Sequence, residues 1–372
     1  MKAEKSQNAF LEEDKFSHSL KFEYIEFYVG NVYQAAHFYR TALGFMPVAY
    51  SGLETGAEDQ SSIMIEQGDV RFLLTSAYSP QSHVNEHVRL HGDGIKDIAF
   101  SVDDVPGSFQ ELVRRGARVV MEPTIYSDQN GRFTKATIAA FGDTVHSLIQ
   151  RNGGDRNFPP HFRKVPKSIS APTIGLRGID HIAISAERGQ LDQWVDFYNR
   201  VFGFHESHQM EVVTELSAMN SKVVQNRTGR VTFPIMEPAF GKRKSQIEEY
   251  LSFYHGAGTQ HIALLSEDIV TTVRMLGENG VEFLETPGSY YDYLPDRVGD
   301  IDEDLRDLRE LKILADRDEH GYLLQIFTKP LQSRPTVFFE IIQRKGARGF
   351  GGGNIVALFE AVEREQRLRK TL

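Results

Sequence analysis

Residues Gly94–Pro123 read GIKDIAFSVDDVPGSFQELVRRGARVVMEP, and residues Gly258–Pro287 read GTQHIALLSEDIVTTVRMLGENGVEFLETP. The two stretches align without a gap, setting Asp104 on Asp268, Gly116 on Gly280 and Pro123 on Pro287. Each opens as an alternating strand, turns at an acidic residue, runs through a helix, breaks at Gly and resumes as a strand. Recurrence of Gly, Pro and Asp as well as of apolar positions marks a duplication.

A second pair lies upstream of these. FEYIEFYVGNVYQAAHFYRTALGF begins at Phe22 and IDHIAISAERGQLDQWVDFYNRVFGF at Ile179, with a two-residue insertion in the later copy. Both read strand then helix, and both end in Phe-Tyr followed by Gly-Phe, at Phe38, Tyr39, Gly44 and Phe45 and at Phe197, Tyr198, Gly203 and Phe204. The chain thus predicts an α+β protein of four βαβββ modules. One module cannot bury its sheet face alone, so the modules should pair into two domains, each an open, curved β-barrel with outer helices. The Pro-, Gly- and Arg/Lys-rich stretch from Arg151 to Gly178 reads as the joint. The expected boundaries are 1–155, a linker 156–177, and 178–372 with a C-terminal helix.

The halves also differ in an informative way. His261 falls on Asp97, and His181 falls on Tyr24. The last strands, TVFFEIIQR (Thr336–Arg344) and TVHSLIQR (Thr144–Arg151), set Glu340 on Ser147. Three positions of the second half carry metal-binding side chains where the first half has none. A lone His in a strand is ordinarily structural. Glu340, however, sits among Phe338, Phe339, Ile341 and Ile342, and a buried carboxylate needs a cation. An Arg or Lys could supply it. Two His from equivalent strands, converging with that Glu, make a shared divalent ion the simpler reading. Two imidazoles and one carboxylate suit a facial triad with open positions. Zinc chemistry is open to the same ligands, but the apolar surroundings favour oxygen-activating iron, which needs a dry wall.

Composition narrows the classes. The chain of 372 residues has net charge −9 and no Cys. Thiolate metal sites, disulfides and Cys nucleophiles are excluded, and a basic stripe for nucleic acid is lacking. The first residues carry no apolar signal stretch, and no apolar run approaches a membrane span, so a cytoplasmic protein with no nucleic-acid or membrane partner is expected. The first half carries no ligand set, and subunit contact, hence a homo-oligomer (dimer or tetramer), is the role expected for it.

The segments LLQIFTKP (Leu323–Pro330) and RPTVFFEIIQRKGARGFGGGNIVALFEAVEREQ (Arg334–Gln366) closely resemble the 4-hydroxyphenylpyruvate dioxygenase family, as do KRKSQIEEYL, GAGTQHIALLSEDI and ETPGSYYD. The resemblance spans nearly the whole chain and is densest from Gly178 to Gln366. It implies a vicinal-oxygen-chelate fold with a non-catalytic first domain and a catalytic second one. It implies Fe(II) on His181, His261 and Glu340, an aryl 2-oxo acid that chelates the iron through its own carboxylate and ketone, and O2. Carried over by motif, Gln246, Gln260 and Ser221 form the polar side of the pocket. Phe327, Phe338 and Phe350 form its aromatic walls. The last helix, beginning near Asn354 and including Leu358, gates the mouth.

Two departures bear on the product. The family's PxNEP reads Pro234-Ile235-Met236-Glu237-Pro238, with Met236 in place of Asn, and its GxGNF ends in Ile355 rather than Phe. The related 4-hydroxymandelate synthases carry aliphatic residues at both positions, although Pro234 keeps the dioxygenase residue where the synthase has Thr. A Phe would clamp the substrate ring, whereas Ile leaves it room to swing aside and present its benzylic carbon. The reading favoured is hydroxylation there, giving 4-hydroxymandelate; the alternatives are homogentisate, a different 2-oxo acid, a zinc or nickel isomerase or lyase, and a binding protein without turnover. The GFGGGN turn (Gly349–Asn354) is not a dinucleotide loop, because no βαβ unit follows it. GKRKSQ (Gly241–Gln246) reads first as a solvated loop, the other reading being attraction of an anionic substrate to the mouth. Asp300–Leu314 is expected to form an acidic surface helix, and Tyr290, Tyr291 and Tyr293 to pack in the core or line the entrance.

Overall fold

The computed structural model describes residues 16–128, 131–152, 161–165 and 174–371. The strands of the first sheet are β1 (Lys21–Tyr28), β2 (Met46–Ser51), β3 (Gln60–Gln67), β4 (Val70–Ala77), β5 (Gly94–Ser101), β6 (Val119–Asp128), β7 (Gly131–Ala139), β8 (Val145–Asn152) and β9 (Arg163–Lys164). Those of the second are β10 (Leu176–Ser185), β11 (His205–Val213), β12 (Ala218–Gln225), β13 (Thr232–Pro238), β14 (Gly258–Ser266), β15 (Leu314–Asp318), β16 (Gly321–Phe327) and β17 (Phe338–Lys345). Their orders are β6-β7-β8-β5-β1-β4-β3-β2-β9 and β11-β12-β13-β10-β14-β17-β16-β15. In every module the first strand pairs with the last in parallel: β1 with β4, β5 with β8, β10 with β13 and β14 with β17. Modules meet through the antiparallel pairs β1–β5 and β10–β14. These are the four βαβββ units expected, closed in pairs into two curved half-barrels.

Three of the repeated residues have a clear local duty. Asp268 accepts the Thr271 N–H and so starts its helix. Gly116 and Gly280 lie at φ 97° and 89°, the left-handed backbone that ends the equivalent helices and that a side chain disfavours. Strand alternation sorts the rest. Ile25 and Phe27 enter the main core, as do Ile182 and Ile184, while Tyr24 and Ala183 face inward within their own half-barrels. The main core is continuous between the halves, where Phe72 stacks on Phe339 with ring centroids 5.8 Å apart.

Three expectations need revising. Of the predicted joint, 153–160 and 166–173 lie outside the described residues, and the remainder is not plain linker. Lys164 and Arg163 pair with Ala49 and Tyr50 at the sheet edge, and β10 already begins at Leu176. The acidic helix covers only Leu305–Leu311, because Asp304 caps its start and Lys312 turns left-handed at its end, after which Leu314 opens β15. Of the three tyrosines, Tyr291 is buried and Tyr290 packs on the main core, but Tyr293 is 73% exposed, and none of them lines the cavity beside Ser221 and Met236. Lys242, Arg243 and Lys244 are exposed, as a solvated loop would be. No helix among the described residues is long and apolar enough to cross a membrane.

Candidate metal centre

His181, Ala263 and Glu340 lie abreast on the neighbouring strands β10, β14 and β17, and His261 stands two residues from Ala263 on the same face of β14. Ala263 is the centre of this row. Its side chain is a single methyl group, flanked by the three longer ones. His181 Nε2 is 3.3 Å and His261 Nε2 3.5 Å from the same oxygen, Glu340 Oε2. Ligands sharing one divalent ion at bonds of about 2.1 Å have such separations. The other ring nitrogens are already engaged: His181 Nδ1 with Asp180 Oδ1 at 2.7 Å, and His261 Nδ1 with Gln260 Oε1 at 3.2 Å. Both Nε2 atoms therefore face the gap, the arrangement in which a held imidazole binds a metal. Gln325 Nε2 donates to Glu340 Oε1 at 3.3 Å.

The electrostatics agree. Burial works against a charged imidazole, yet Glu340 and Asp180 push His181 up to about 9. Burial holds His261 below its ordinary value. Burial alone would raise Glu340, but the two imidazoles bring it below the usual carboxylate range. The pocket thus holds a fully buried anion that draws positive charge toward itself, and a divalent ion answers that demand without a proton.

A cavity of about 110 Å³ opens from the triad. Of the residues expected around it, Ser221, Pro234, Met236, Gln246, Gln260, Phe327, Phe350, Ile355 and Leu358 do line it. Met236 belongs to an apolar cluster with Met219 and Phe359, and Ile355 packs on that cluster. Gln246 Oε1 is buried without a partner. One expected wall residue, Phe338, stands elsewhere, and Asn354, expected at the start of the gating helix, is found there but away from the cavity. Phe338 stacks on the ring of His261, 5.0 Å away, and faces a smaller cavity behind it. Asn354 is buried at the start of the last helix, Gly352–Arg369, where it donates to Gln325 Oε1 at 3.1 Å and accepts from the Tyr290 hydroxyl at 2.6 Å. It supports the wall from behind. Asp180, Gln325 and Arg344 were not singled out from the sequence, nor were His208 and Met210, which line the cavity. The polar neighbour of each His was the available signal for Asp180.

Strand register confirms the alignment of the halves: Tyr24 and Ala99 pair as His181 and Ala263 do. At the equivalent place the first half carries its own cation. Lys135 Nζ lies 3.2 Å from Asp97 Oδ2 and 3.1 Å from the Tyr24 hydroxyl, and Ser147 Oγ donates to Asp97 at 2.6 Å. Lys135 pairs with Ile149 as Gln325 pairs with Ile342, so an ammonium occupies the ground where the second half keeps a neutral amide. Lys135→Met should strand the buried Asp97 and lower stability by about 3 kcal/mol, measured by urea unfolding. Nearby, burial raises the Glu26 carboxyl to about 7. A raised carboxyl stabilises fully below its unfolded value and loses that contribution as pH climbs through 7. Glu26→Gln should therefore gain on the parent by about 2–3 kcal/mol between pH 5 and pH 8, read by the same unfolding curves.

One other group among the described residues places three possible ligands together, His87, His91 and Asp143. His87 Nδ1 sits only 2.7 Å from Asp143 Oδ2, a hydrogen bond rather than a shared ion, and Lys96 Nζ lies 3.4 Å from the same oxygen. His91 bonds the Tyr254 carbonyl. This is a polar joint between the halves, in which Lys96 already supplies Asp143 with a cation, while His87 Nε2 and Asp143 Oδ1 are buried without a partner.

Residues 21–149 and 178–326 match the Glyoxalase/Bleomycin resistance protein/Dioxygenase superfamily. The chain is 44% identical to a 4-hydroxyphenylpyruvate dioxygenase of Yarrowia lipolytica, over 94% of this chain and 93% of that one. It belongs to the 4-hydroxyphenylpyruvate dioxygenase family. A second member, from Aspergillus fumigatus, is 41% identical over 96% of each chain. A mutant of 4-hydroxymandelate synthase from Streptomyces coelicolor superposes with a TM-score of 0.85 at 39% identity, covering 93% of this chain and 98% of that one. The chain is thus an oxygenase of this family, and both branches of the family are close to it.

Proposed function

We propose that the enzyme holds Fe(II) with His181, His261 and Glu340 and oxidatively decarboxylates 4-hydroxyphenylpyruvate with O2, releasing 4-hydroxymandelate. The observation that carries the metal is the pair of Nε2 atoms 3.3 and 3.5 Å from one buried carboxylate oxygen. Three protein ligands leave open positions for a 2-oxo acid and O2. When bound, iron supplies the redox chemistry by which O2 is activated and CO2 is lost.

The chain's own residues position the substrate. Phe327 and Phe350 flank the aryl ring, and Phe350 also closes over His181, 5.3 Å from its ring. The buried, unpartnered Gln246 oxygen suits the phenolic hydroxyl, which would donate to it. The apolar wall keeps water from the reacting atoms. Met236 and Ile355 make one aliphatic patch where the dioxygenase pattern has Asn and Phe. That patch supports the benzylic outcome. The homogentisate reading is supported by the relatives named as dioxygenases and by Pro234. Anaerobic loading with Fe(II), followed by 4-hydroxyphenylpyruvate and air, decides between them. One O2 consumed and one CO2 released per substrate, with 4-hydroxymandelate as main product, is expected. Homogentisate as main product would refute the benzylic assignment, and no O2 uptake would refute the oxygenase reading.

A further inference from the structure

We propose that Asp180 is a positioning residue for the metal centre, aiming His181 while its clamp on Arg344 holds the Phe350 turn; this rests on the three-ligand reading above. Asp180 Oδ1 meets His181 Nδ1 at 2.7 Å and Arg344 Nη2 at 2.8 Å, and Oδ2 accepts from Arg344 Nε at 2.6 Å. Neighbours on a strand ordinarily point to opposite faces. Here the β10–β14 ladder slips between Ile179 and His181, and the bulged residue is Asp180. A bulge re-aims a side chain, and this one brings the carboxylate round to the imidazole beside it. Arg344 continues the chain of contacts. Its Nη1 donates to the Gly349 carbonyl at 2.7 Å, and its guanidinium lies 5.5 Å from the Phe350 ring. One cation thus joins the strand bearing Glu340, the bulge before His181 and the turn that feeds the last helix.

The first half supplies an internal control. Its ladder slips at the same place, between Phe22 and Tyr24, making Glu23 the counterpart of Asp180. Arg151, the counterpart of Arg344, donates to Glu23 at 2.8 Å, and Arg71 adds a second bond at 2.7 Å. The acid–arginine clamp is therefore a property of the fold, present where no ligand set exists. The second half differs in having the shorter acid, whose Oδ1 reaches the ligand imidazole, and in placing Thr232 at the register position that Arg71 holds in the first. Holding Nδ1 fixes the tautomer and the direction of Nε2.

This separates a structural role from a positioning one. Asp180→Glu restores the acid that already serves the clamp in the first half, and Asp180→Asn keeps the size without the charge. Iron-free unfolding midpoints, anaerobic Fe(II) titration, and the visible absorption of the iron complex with 4-hydroxyphenylpyruvate are measured for each. Asp180→Glu should unfold near the parent yet bind Fe(II) about 10–100-fold more weakly, with a displaced absorption band at saturating iron. Arg344→Lys, which keeps a cation but loses the fork, should raise KM for the 2-oxo acid by a larger factor than it raises the Fe(II) Kd. Parent-like iron affinity and an unmoved band in both Asp180 variants would reduce Asp180 to a clamp. A parent protein that takes up no iron would instead bring down the three-ligand reading, and this proposal with it.

Discussion

Glu340→Gln should lose stoichiometric iron and at least ~10³-fold in kcat/KM, since metal charge stabilisation is worth several kcal/mol. The amide keeps the volume of the side chain, so the strand β17 and its neighbours Ile341 and Ile342 remain packed. What disappears is the one negative charge among the three ligands. The high proton affinity of His181 should fall with it, because Glu340 is the charge that chiefly opposes burial there. Iron counted after anaerobic dialysis, together with O2 uptake, checks this. Activity within tenfold of the parent, with one iron still bound, would place the metal elsewhere.

Ile355→Phe, alone and with Met236→Asn, should move product from 4-hydroxymandelate toward homogentisate, with the ratio changing on the order of a hundredfold in the double variant. Ile355 packs on the cluster that includes Met236, so the two substitutions act on one wall. On the proposed reading, Phe would fill the space left for the substrate ring to swing, and Asn would return a polar group to orient it. The total rate should change much less than the ratio, since no ligand is touched. Chromatographic product ratios from anaerobically loaded enzyme measure the effect. An unchanged ratio would remove both positions as determinants of regiochemistry.

Much of this was legible because the chain carries its own comparison. Gly116 and Gly280 recur since each ends a helix in left-handed backbone, and Asp104 and Asp268 both stand at a helix start, although only Asp268 caps it with its side chain. The triad was legible as a difference: His181, His261 and Glu340 against Tyr24, Asp97 and Ser147, an alignment that the strand register upholds. What stayed hidden depends on backbone irregularity or on distant partners. Alternation assigns Asp180 to the face opposite His181, and only the bulge reverses that. Asn354 could not be recognised as a support behind the wall, because Gln325 and Tyr290 reach it from far along the chain. Phe338 alternates onto the ligand face as expected, but its ring lies flat against His261, a rotation that no sequence pattern records. The Lys135 ammonium beside Asp97 was equally out of reach, since β7 and β5 are separated by β8 in the sheet.

The most direct measurement is anomalous diffraction at the iron edge from crystals of the full chain grown or soaked with Fe(II) under anaerobic conditions. One strong peak should lie between His181 Nε2, His261 Nε2 and the Glu340 carboxylate. A peak at His87, His91 and Asp143 instead, or no peak at the triad with iron in excess, would contradict the account.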